Sequence, residues 1–256
     1  MSVPPAKIKE RKRVATMTKL LRSKDRKVAN AVTPNGKQAS IANTFGLPAG
    51  KAYSCPGATS VCESVCYAGK LEKVFPTVKK NLLHNWELLK DADLDTMQVL
   101  LSEMIDEFII DCNKRSATKL FRIHWDGDFF NDTYTQAWKT IILNNTDIQF
   151  WVYTRVKSAA LMLKGIENLS LYYSTDSENK DTGVELKTDH GIRLAYLAKN
   201  FLIGQADMKA LMGKPAAKCP ENNKQIPLIS TKGSACVSCS LCVYSKADIV
   251  FSASKK

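Results

Sequence analysis

The chain has 256 residues, of which 45% are hydrophobic, and its 37 Lys and Arg against 25 Asp and Glu give a formal net charge of +12. This length allows one large domain or two small ones, and this composition suits a globular protein with a real core. No stretch approaches the ~18 consecutive apolar residues of a membrane-spanning helix, and the basic amino terminus lacks the apolar segment of a secretory signal. We therefore expect a cytosolic protein with no membrane partner.

The first 37 residues carry most of the excess charge, with eleven Lys and Arg against Glu10 and Asp25. We assign residues 1–37 to a basic, partly disordered arm. Such an arm could bind nucleic acid, because each neutralised phosphate releases counterions and adds affinity that does not depend on base sequence. The alternative is a solvated extension without a partner.

A first group of cysteines, Cys55, Cys62 and Cys66, follows a predicted strand at residues 39–47. The neighbouring residues are Gly, Pro, Ser, Ala and Thr, which are typical of exposed loops rather than of a core. These thiols therefore indicate metal ligation. Three cysteines around a [4Fe–4S] cluster leave one iron without a protein ligand, and that iron could bind a small molecule.

The middle of the sequence alternates between helical and extended patterns. Apolar residues recur at helical spacing over residues 76–90 and 94–112, and the thiol of Cys112 is interpreted as a packed core side chain. Repeated strand-helix-strand units predict parallel strands joined by right-handed crossovers. Helices are expected to begin near Thr133 and Lys157, and the predicted strands are residues 120–125, 149–153, 169–173, 192–198 and 225–229.

Polar residues follow successive predicted strands. In a parallel barrel these strand ends meet on one face, where active-site residues collect. We expect Asp126, Asp128, Thr154 and Arg155 to position a small-molecule substrate there, on the same rim as the first three cysteines. The alternative is ordinary helix capping, which we assign to Asp132 and Ser158. His84 and His124 are weaker candidates for acid–base groups or ligands.

A second group of cysteines lies near the end of the sequence. Cys236, Cys239 and Cys242 are each separated by two residues, as in the C-x2-C-x2-C run of bacterial ferredoxins, and Cys219 supplies a fourth thiol. A structural zinc site more often has two separated C-x2-C pairs. Reducing cytosol disfavours disulfides. The first interpretation is therefore an iron–sulfur cluster, the second is zinc, and the third is disulfide bonding.

Three sequence strings resemble the bacteriophage Gene product 88 family. They are Arg-Ile-His-Trp-Asp-Gly-Asp-Phe-Phe at 122–130, Phe-Trp-Val-Tyr-Thr-Arg at 150–155, and residues 47–58 together with Cys66-Tyr-Ala. The resemblance covers most of the chain after the arm and implies a phage protein acting in the host cytosol.

A more distant resemblance is to radical S-adenosylmethionine enzymes, whose partial barrel carries a three-cysteine loop after its first strand. Cys55, Cys62 and Cys66 match that loop in position, and Gly127-Asp128 is similar to a segment after the second strand. Their spacing is usually C-x3-C-x2-C, whereas here it is C-x6-C-x3-C, and this difference counts against S-adenosylmethionine binding. The four later cysteines look like a shortened auxiliary cluster domain of such enzymes.

These patterns predict an α/β protein with a partial (β/α) barrel over residues 38–212, similar to that of radical enzymes, and a C-terminal iron–sulfur segment over residues 213–256. One or two [4Fe–4S] clusters are expected. Two hypotheses remain open. The first is a redox or radical enzyme, and the second is a non-catalytic iron–sulfur or zinc protein that binds nucleic acid through residues 1–37.

Overall fold

A computed structural model of the chain describes residues 19–33 and 35–254. The strands are β1 (Asn30–Val32), β2 (Gln38–Ser40), β3 (Thr44–Gly46), β4 (Leu120–Asp126), β5 (Gln149–Thr154), β6 (Leu169–Thr175), β7 (Arg193–Ala198), β8 (Ala217–Lys218), β9 (Ile229–Ser230), β10 (Gly233–Ser234) and β11 (Ile249–Ser252). The helices are α1 (Ser60–Val65), α2 (Tyr67–Val74), α3 (Pro76–Leu89), α4 (Leu94–Arg115), α5 (Asp132–Asn144), α6 (Lys157–Leu163), α7 (Lys180–His190), α8 (Phe201–Met212) and α9 (Ala235–Cys239).

Seven strands form one sheet in the order β3-β4-β5-β6-β7-β11-β8, and every neighbouring pair is parallel. Strands β3 and β8 are its two edges, so the sheet is open within the part of the chain that the structure describes. Five strands follow one another in chain order, and right-handed crossovers in that order put the connecting helices on the same face. The prediction of a parallel α/β sheet flanked by helices is confirmed.

The main core lies between this sheet and its helices. Side chains alternate between the two faces of a strand, so every second residue of β4 to β7 points into this core. Trp138 of α5 and Phe108 of α4 are fully buried there, and Phe121 of β4 contacts both rings. The strand residues in this core include Phe121, Ile123, Phe150, Val152, Leu171, Tyr173, Leu194, Tyr196 and Val250.

The opposite face of the sheet is covered by two stretches from distant parts of the sequence. Residues 217–248, here called the cysteine segment, lie over the rings of Trp151, Tyr153 and Tyr172. These three rings are called the aromatic floor. Val28, which precedes β1, packs with Trp151 under the same segment. The face that would line the interior of a barrel is therefore occupied by the protein's own chain.

The predicted strand at residues 225–229 is wrong as a member of the sheet. Only Ile229 is extended there, in β9, which pairs antiparallel with β10 in a separate hairpin. Pro227 lacks the N–H donor that a central strand requires. The sheet continues instead through β11, which runs between β7 and β8. The predicted strand at 39–47 is divided, because β2 pairs with β1 and only β3 joins the sheet.

The predicted helices are confirmed, with small differences at their ends. The side chain of Asn131, rather than of Asp132, caps α5 by accepting from the Tyr134 amide at 2.7 Å. The Ser158 hydroxyl does not cap α6 but donates to Asp132 at 2.9 Å. No helix among the described residues is long and apolar enough to cross a membrane.

Residues 19–33 of the predicted basic arm pack against the rest of the protein. Leu20 is 3% exposed and belongs to the main core. Arg22 forms an ion pair with Asp111 at 2.7 Å, and Lys19 forms one with Glu107. Residues 1–18, which carry the remaining part of the arm, lie outside the described residues.

Candidate functional site

Three of the four later cysteines, Cys219, Cys236 and Cys242, pack against the aromatic floor. Cys219 directly follows β8, and its N–H donates to the Val250 carbonyl in β11 at 3.0 Å. Cys236 and Cys239 belong to the short helix α9, and Cys242 follows in the next turn. All four are free thiols of intermediate exposure. The sheet therefore positions one cysteine, and the segment that crosses its face positions the other three.

The thiols of this group are close enough to affect one another electrostatically. Burial raises the pKa of Cys236 to about 12, and the charges of Cys242 and Cys219 add to this effect. Burial also raises the pKa of Cys242 to about 12, with further contributions from Cys219 and Cys239, while a hydrogen bond with Tyr153 opposes the shift. The neighbouring thiolates thus make ionisation of Cys236 and Cys242 harder still, and a bound cation would oppose that effect.

Two cations lie against these thiols, and both come from outside the cysteine segment. Arg122 of β4 lies over the Tyr153 ring, with 5.6 Å between guanidinium carbon and ring centroid, and its charge lowers the pKa of Cys236 against the larger effect of burial. Lys27 acts in the same direction on Cys236 and Cys219. Each cation also has a carboxylate partner: Arg122 pairs with Asp25 at 2.6 Å and Lys27 with Glu221 at 2.8 Å.

Hydrogen bonds fix the cysteine segment to the floor and to the residues before β1. The Tyr172 hydroxyl donates to the Ala247 carbonyl at 2.9 Å, and the Ser170 hydroxyl donates to the Val243 carbonyl at 2.7 Å. The Cys236 N–H donates to the Lys27 carbonyl at 2.9 Å. The Asn30 N–H donates to the Ser234 hydroxyl at 2.9 Å. Residues 27–30 are therefore hydrogen-bonded to the cysteine segment and pack beside it on the same face of the sheet.

Among the described residues, no three or more His, Cys, Asp or Glu side chains are gathered closely enough to hold a metal ion. A tetrahedral zinc site with Zn–S distances of about 2.3 Å brings its sulfur atoms within roughly 4 Å of one another. A [4Fe–4S] cluster spreads its four thiolates around a wider cage.

The first three cysteines lie at the carboxyl edge of the sheet. Cys62 is in α1, where Thr59 caps the helix by accepting from the Cys62 N–H at 3.0 Å. Burial raises the pKa of Cys62, the charge of Arg155 opposes this effect, and the charge of Cys66 adds to it. Burial raises the pKa of Cys55 as well, followed in size by the charge of Asp128. Cys62 and Cys66 are thus neighbours, and Cys55 faces the carboxylates that follow β4.

Asp128, Thr154 and Arg155 form one hydrogen-bonded cluster on this edge. Asp128 accepts from the Thr154 hydroxyl at 2.6 Å and from the Arg155 N–H at 2.8 Å, while its own N–H donates to Ser54 in the cysteine loop at 3.4 Å. The Arg155 guanidinium donates to Asp176 at 2.7 Å. Burial raises the pKa of Asp128 to about 6, against these hydrogen bonds.

Asp126 lies on the same edge and has a carboxylate neighbour, Glu72, that the sequence patterns do not identify. Burial and then the charge of Glu72 raise the pKa of Asp126 to about 8. One Asp126 oxygen accepts from the Gly127 N–H at 2.9 Å, and Glu72 of α2 accepts from the Ala49 N–H at 2.8 Å. All four predicted positioning residues therefore lie at one edge, but Asp128 and Thr154 use their polar atoms on each other.

The two candidate histidines lie away from the cysteines. His124 points into the helix side of the sheet, where its ring contacts Phe129 and its Nε2 is 2.8 Å from the Tyr134 hydroxyl. Burial lowers its pKa to about 3. The Nε2 atom of His84 is 2.9 Å from the carbonyl oxygen of Lys19. Both rings have structural contacts in the described part of the chain.

Arg122, Lys27 and Tyr153 are the site residues that the sequence patterns miss. Arg122 was identifiable in principle. Strand alternation places this charged residue of an otherwise apolar strand on the face opposite Phe121 and Ile123. Lys27 had none, since only the folded chain brings it beside Cys236. Lys218, Lys224 and Lys232, which lie near the cysteines in sequence, are all exposed.

Fold and site together define an α/β protein with an open parallel sheet and cysteine groups at its edge and on one face. The chain belongs to the Gene product 88 family, whose sequence profile matches residues 18–245. It is 53% identical over 245 residues to the Gene 88 protein of Mycobacterium phage L5, and 50% identical over 246 residues to the Gene 88 protein of Mycobacterium phage D29. Each alignment covers 94% of this chain and 100% of the relative. No solved structure matches the chain.

Proposed function

We propose that this phage protein is an iron–sulfur protein in which Cys219, Cys236, Cys239 and Cys242 hold a [4Fe–4S] cluster. The observation that supports the proposal is that Cys219, Cys236 and Cys242 pack against the aromatic floor, with Cys239 as an electrostatic neighbour of Cys242. Four protein ligands close the coordination of such a cluster, so its chemistry when bound is one-electron transfer. The chain's own residues bind it, exclude water from one side through the floor, and offset its charge through Arg122 and Lys27.

The electrostatics of the site support a cluster more than a buried apolar role for these cysteines. Unliganded thiolates would be costly on this floor, as the raised pKa values of Cys236 and Cys242 indicate. Iron removes that cost because the metal replaces the protons. Binding would then add folding free energy to a segment whose helix and strands contain at most five residues each.

A second site is proposed at Cys55, Cys62 and Cys66. Three thiolates would leave one iron of a second [4Fe–4S] cluster open to a small molecule at the rim. Arg155 is held beside Cys62 by its ion pair with Asp176 and could bind an anionic group of such a molecule. The enzyme version of the proposal, in which the sheet acts like the partial barrel of a radical enzyme, depends on this site alone.

The decisive experiment is anaerobic purification followed by iron and sulfide analysis. About four irons per chain indicate one cluster and about eight indicate two. Replacing Cys239 with Ala should remove about four irons, whereas Cys112→Ala, in the main core, should remove none. Zinc in place of iron, with no visible absorption, would refute the cluster and favour the zinc alternative.

Electron paramagnetic resonance of the reduced protein distinguishes the radical-enzyme hypothesis from that of a non-catalytic iron–sulfur protein. A spectrum that changes on addition of S-adenosylmethionine in the wild type, but not in Cys62→Ala, would support an open iron at the rim. An unchanged spectrum with no cleavage of S-adenosylmethionine would remove the radical-enzyme version and leave the C-terminal cluster unaffected.

Nucleic-acid binding through residues 1–37 is the second candidate function, and residues 1–18 are the part of this arm that a truncation can test. Lys19, Arg22 and Lys27 have carboxylate partners in the fold. Residues 1–18 contain five Lys and Arg against Glu10. Deleting residues 1–18 should weaken DNA binding and reduce its dependence on salt. Equal mobility-shift titrations of the two proteins would refute this role.

A further inference from the structure

A cavity of about 370 Å³ lies at the carboxyl edge of the sheet, beyond the neighbouring strands β7, β11 and β8. We call it the β11 cavity. Its lining comes from residues 200–202 after β7, Lys218 at the end of β8, residues 222–224 in the following loop, and Ser252 and Ser254 at the end of β11. Its volume is within the range of small-molecule pockets. None of the described cysteines lines it, so the β11 cavity is a different site from the two cysteine groups.

The topology of the sheet opens a crevice at this position. After β7 the chain crosses to α8 on the helix side, where Met208 belongs to the main core. After β8 it enters the cysteine segment, which covers the opposite face. The connections from the two strands that flank β11 thus leave toward opposite faces. Open parallel sheets bind their ligands in such a crevice, outside the carboxyl ends of the strands.

Hydrogen bonds hold the loop that forms one wall of the β11 cavity. The Asn222 side chain accepts from the Ser252 N–H at 2.6 Å and donates to the Ser252 carbonyl at 3.2 Å. The Lys224 N–H donates to the Glu221 carbonyl at 3.0 Å within the same loop. A wall that is already fixed loses little conformational freedom when a ligand binds.

The β11 cavity carries positive charge that its own lining does not neutralise. Lys218 and Lys224 line it, whereas no acidic residue does. Among the described residues, neither lysine forms an ion pair. Glu221, which lies in the same loop, pairs instead with Lys27 at 2.8 Å. Two lysines without carboxylate partners favour an anionic ligand.

The first turn of α8 adds hydrogen-bond donors to the same cavity. Asn200 caps this helix by accepting from the Ile203 N–H at 2.9 Å. The N–H groups of Phe201 and Leu202, which precede Ile203, have no acceptor in the described part of the chain. Free N–H groups at a helix N-terminus, next to lysines, suit a phosphate group.

Another part of the lining is apolar, and a phosphate group alone would leave it unused. The Lys218 ammonium lies 6.0 Å from the centroid of the Phe201 ring, so a cation and an aromatic ring are neighbours. Leu202 is 81% exposed. Asn223 also lines the cavity and carries an amide that can both donate and accept. An aromatic base on the same molecule as the phosphate would use the apolar surface and the amide together.

We propose that the β11 cavity binds a mononucleotide. The phosphate lies between Lys218, Lys224 and the first turn of α8, and the base packs against Phe201 and Leu202. This site does not depend on the proposed clusters, since no described cysteine lines the cavity. It also differs from nucleic-acid binding through residues 1–37, which needs no pocket.

The test measures, by calorimetry at low salt, how the full-length protein binds the four ribonucleoside 5′-monophosphates, their nucleosides and inorganic phosphate. The variants are Lys218→Gln/Lys224→Gln and Leu202→Ser. The control is Lys114→Gln/Lys209→Gln, which removes two exposed lysines from the last turns of α4 and α8. Melting temperatures in phosphate-free buffer show whether each variant is folded, and iron content shows whether a variant has altered the cysteine segment.

We expect at least one nucleotide to bind more tightly than both its nucleoside and inorganic phosphate. The Lys218/Lys224 variant should lose about tenfold in affinity for that nucleotide and for phosphate, because two positive charges are removed. Leu202→Ser should weaken the binding of the nucleotide alone, and the control should weaken neither. Nucleotide binding by a protein without iron would support the inference and refute only the proposed clusters.

Three results would overturn the inference. The first is a wild-type protein that binds none of the four nucleotides. The second is equal nucleotide affinity in the wild type and the folded Lys218/Lys224 variant. The third is a nucleotide that binds no more tightly than inorganic phosphate, because the apolar lining would then have no base to contact.

Discussion

The two cysteine groups lie in different electrostatic surroundings. The C-terminal group rests on aromatic rings beside the cations Arg122 and Lys27, whereas the first group has the carboxylates Asp126 and Asp128 near Cys55 and the cation Arg155 near Cys62. Positive charge stabilises the more negative, reduced form of a cluster, and negative charge destabilises it. The comparison shows that two cysteine groups in one fold can differ in their charged neighbours. For the proposed clusters, we expect the higher reduction potential at the C-terminal group.

The largest difference between the two groups is expected when one cysteine of each group is replaced in turn. Cys236→Ala should lose about four irons per chain and several kcal/mol of stability, because the proposed cluster would hold the cysteine segment in place. Cys66→Ala should lose at most the other cluster and destabilise the protein less. Iron analysis and urea unfolding measure the two effects. Equal losses of stability in the two variants would contradict the expectation that the C-terminal group contributes more to folding than the first group does.

Glycine substitutions should affect each group separately. A Cβ at Gly233, where φ is +94°, would lie 2.6 Å from the Asn30 carbonyl, and a Cβ at Gly127, where φ is +83°, would lie 2.4 Å from the Ser54 hydroxyl. Each change to Ala should cost about 2–4 kcal/mol from backbone strain and overlap. Gly233→Ala should impair loading of the C-terminal cluster, and Gly127→Ala that of the first group.

The control for these substitutions is Gly36→Ala. Its φ is +73°, but its Cβ would meet nothing within 4 Å, so only strain of about 1–2 kcal/mol is expected. Urea midpoints and iron content of the three variants provide the measurement. Loss of both clusters in either of the first two variants would show that the groups are not independent.

Protonation of Asp126 and Asp128 should make the free energy of unfolding depend on pH between about 4 and 8. Asp128 and Asp126 have pKa values raised to about 6 and about 8, so the folded state holds protons that the unfolded state has released. Their stabilising effect is complete below the unfolded pKa of about 4 and is lost as the pH rises through the folded values. The free energy of unfolding of the reduced, metal-free protein should therefore fall, by on the order of a few kcal/mol, between pH 5 and pH 8.

The variant that tests this origin is Asp126→Asn, because it removes the carboxyl group whose pKa is raised more. Its unfolding free energy should vary less over the same pH range. A profile as steep as that of the wild type would show that the decline with pH does not arise from the rim.

The smallest expected effect concerns the charge beside the C-terminal thiols. Arg122→Gln should lower the midpoint potential of that cluster, on the order of tens of millivolts, because a nearby positive charge is lost. Arg122→Lys should restore most of the potential, and Arg115→Gln, at the end of α4, should not change it. A redox titration followed by electron paramagnetic resonance gives the values. If the potential did not change at full iron content, Arg122 would have no effect on the cluster and would only form the ion pair with Asp25.

The regular part of the fold was predictable because its signals are local. The strands β4 to β7 and the helices α3 to α6 each contain their own apolar pattern, so their order and parallel pairing follow from the sequence. The division of residues 39–47 and the replacement of residues 225–229 by β11 depend on non-local pairing. Ile249, Val250 and Phe251 form a short apolar run, but nothing near them in sequence indicates that they insert between β7 and β8.

The same distinction applies to the candidate site. The cysteines and the residues that follow each strand are identifiable because their type and spacing carry the signal. The partners that set their electrostatics are not, since Lys27 is 209 residues from Cys236 and Glu72 lies on a helix whose pattern marks it only as exposed. Asn131 and Asp132 are both good capping residues, and only the backbone geometry selects the first.

The closure of the cysteine segment over the sheet has a consequence for biosynthesis. Strands β4 to β7 emerge from the ribosome before residues 217–248, so the rings of Trp151, Tyr153 and Tyr172 stay uncovered while the rest of the chain is made. Loading of the proposed cluster would therefore have to follow translation of the segment. Until the segment has folded, a new chain would present this apolar surface to chaperones and proteases.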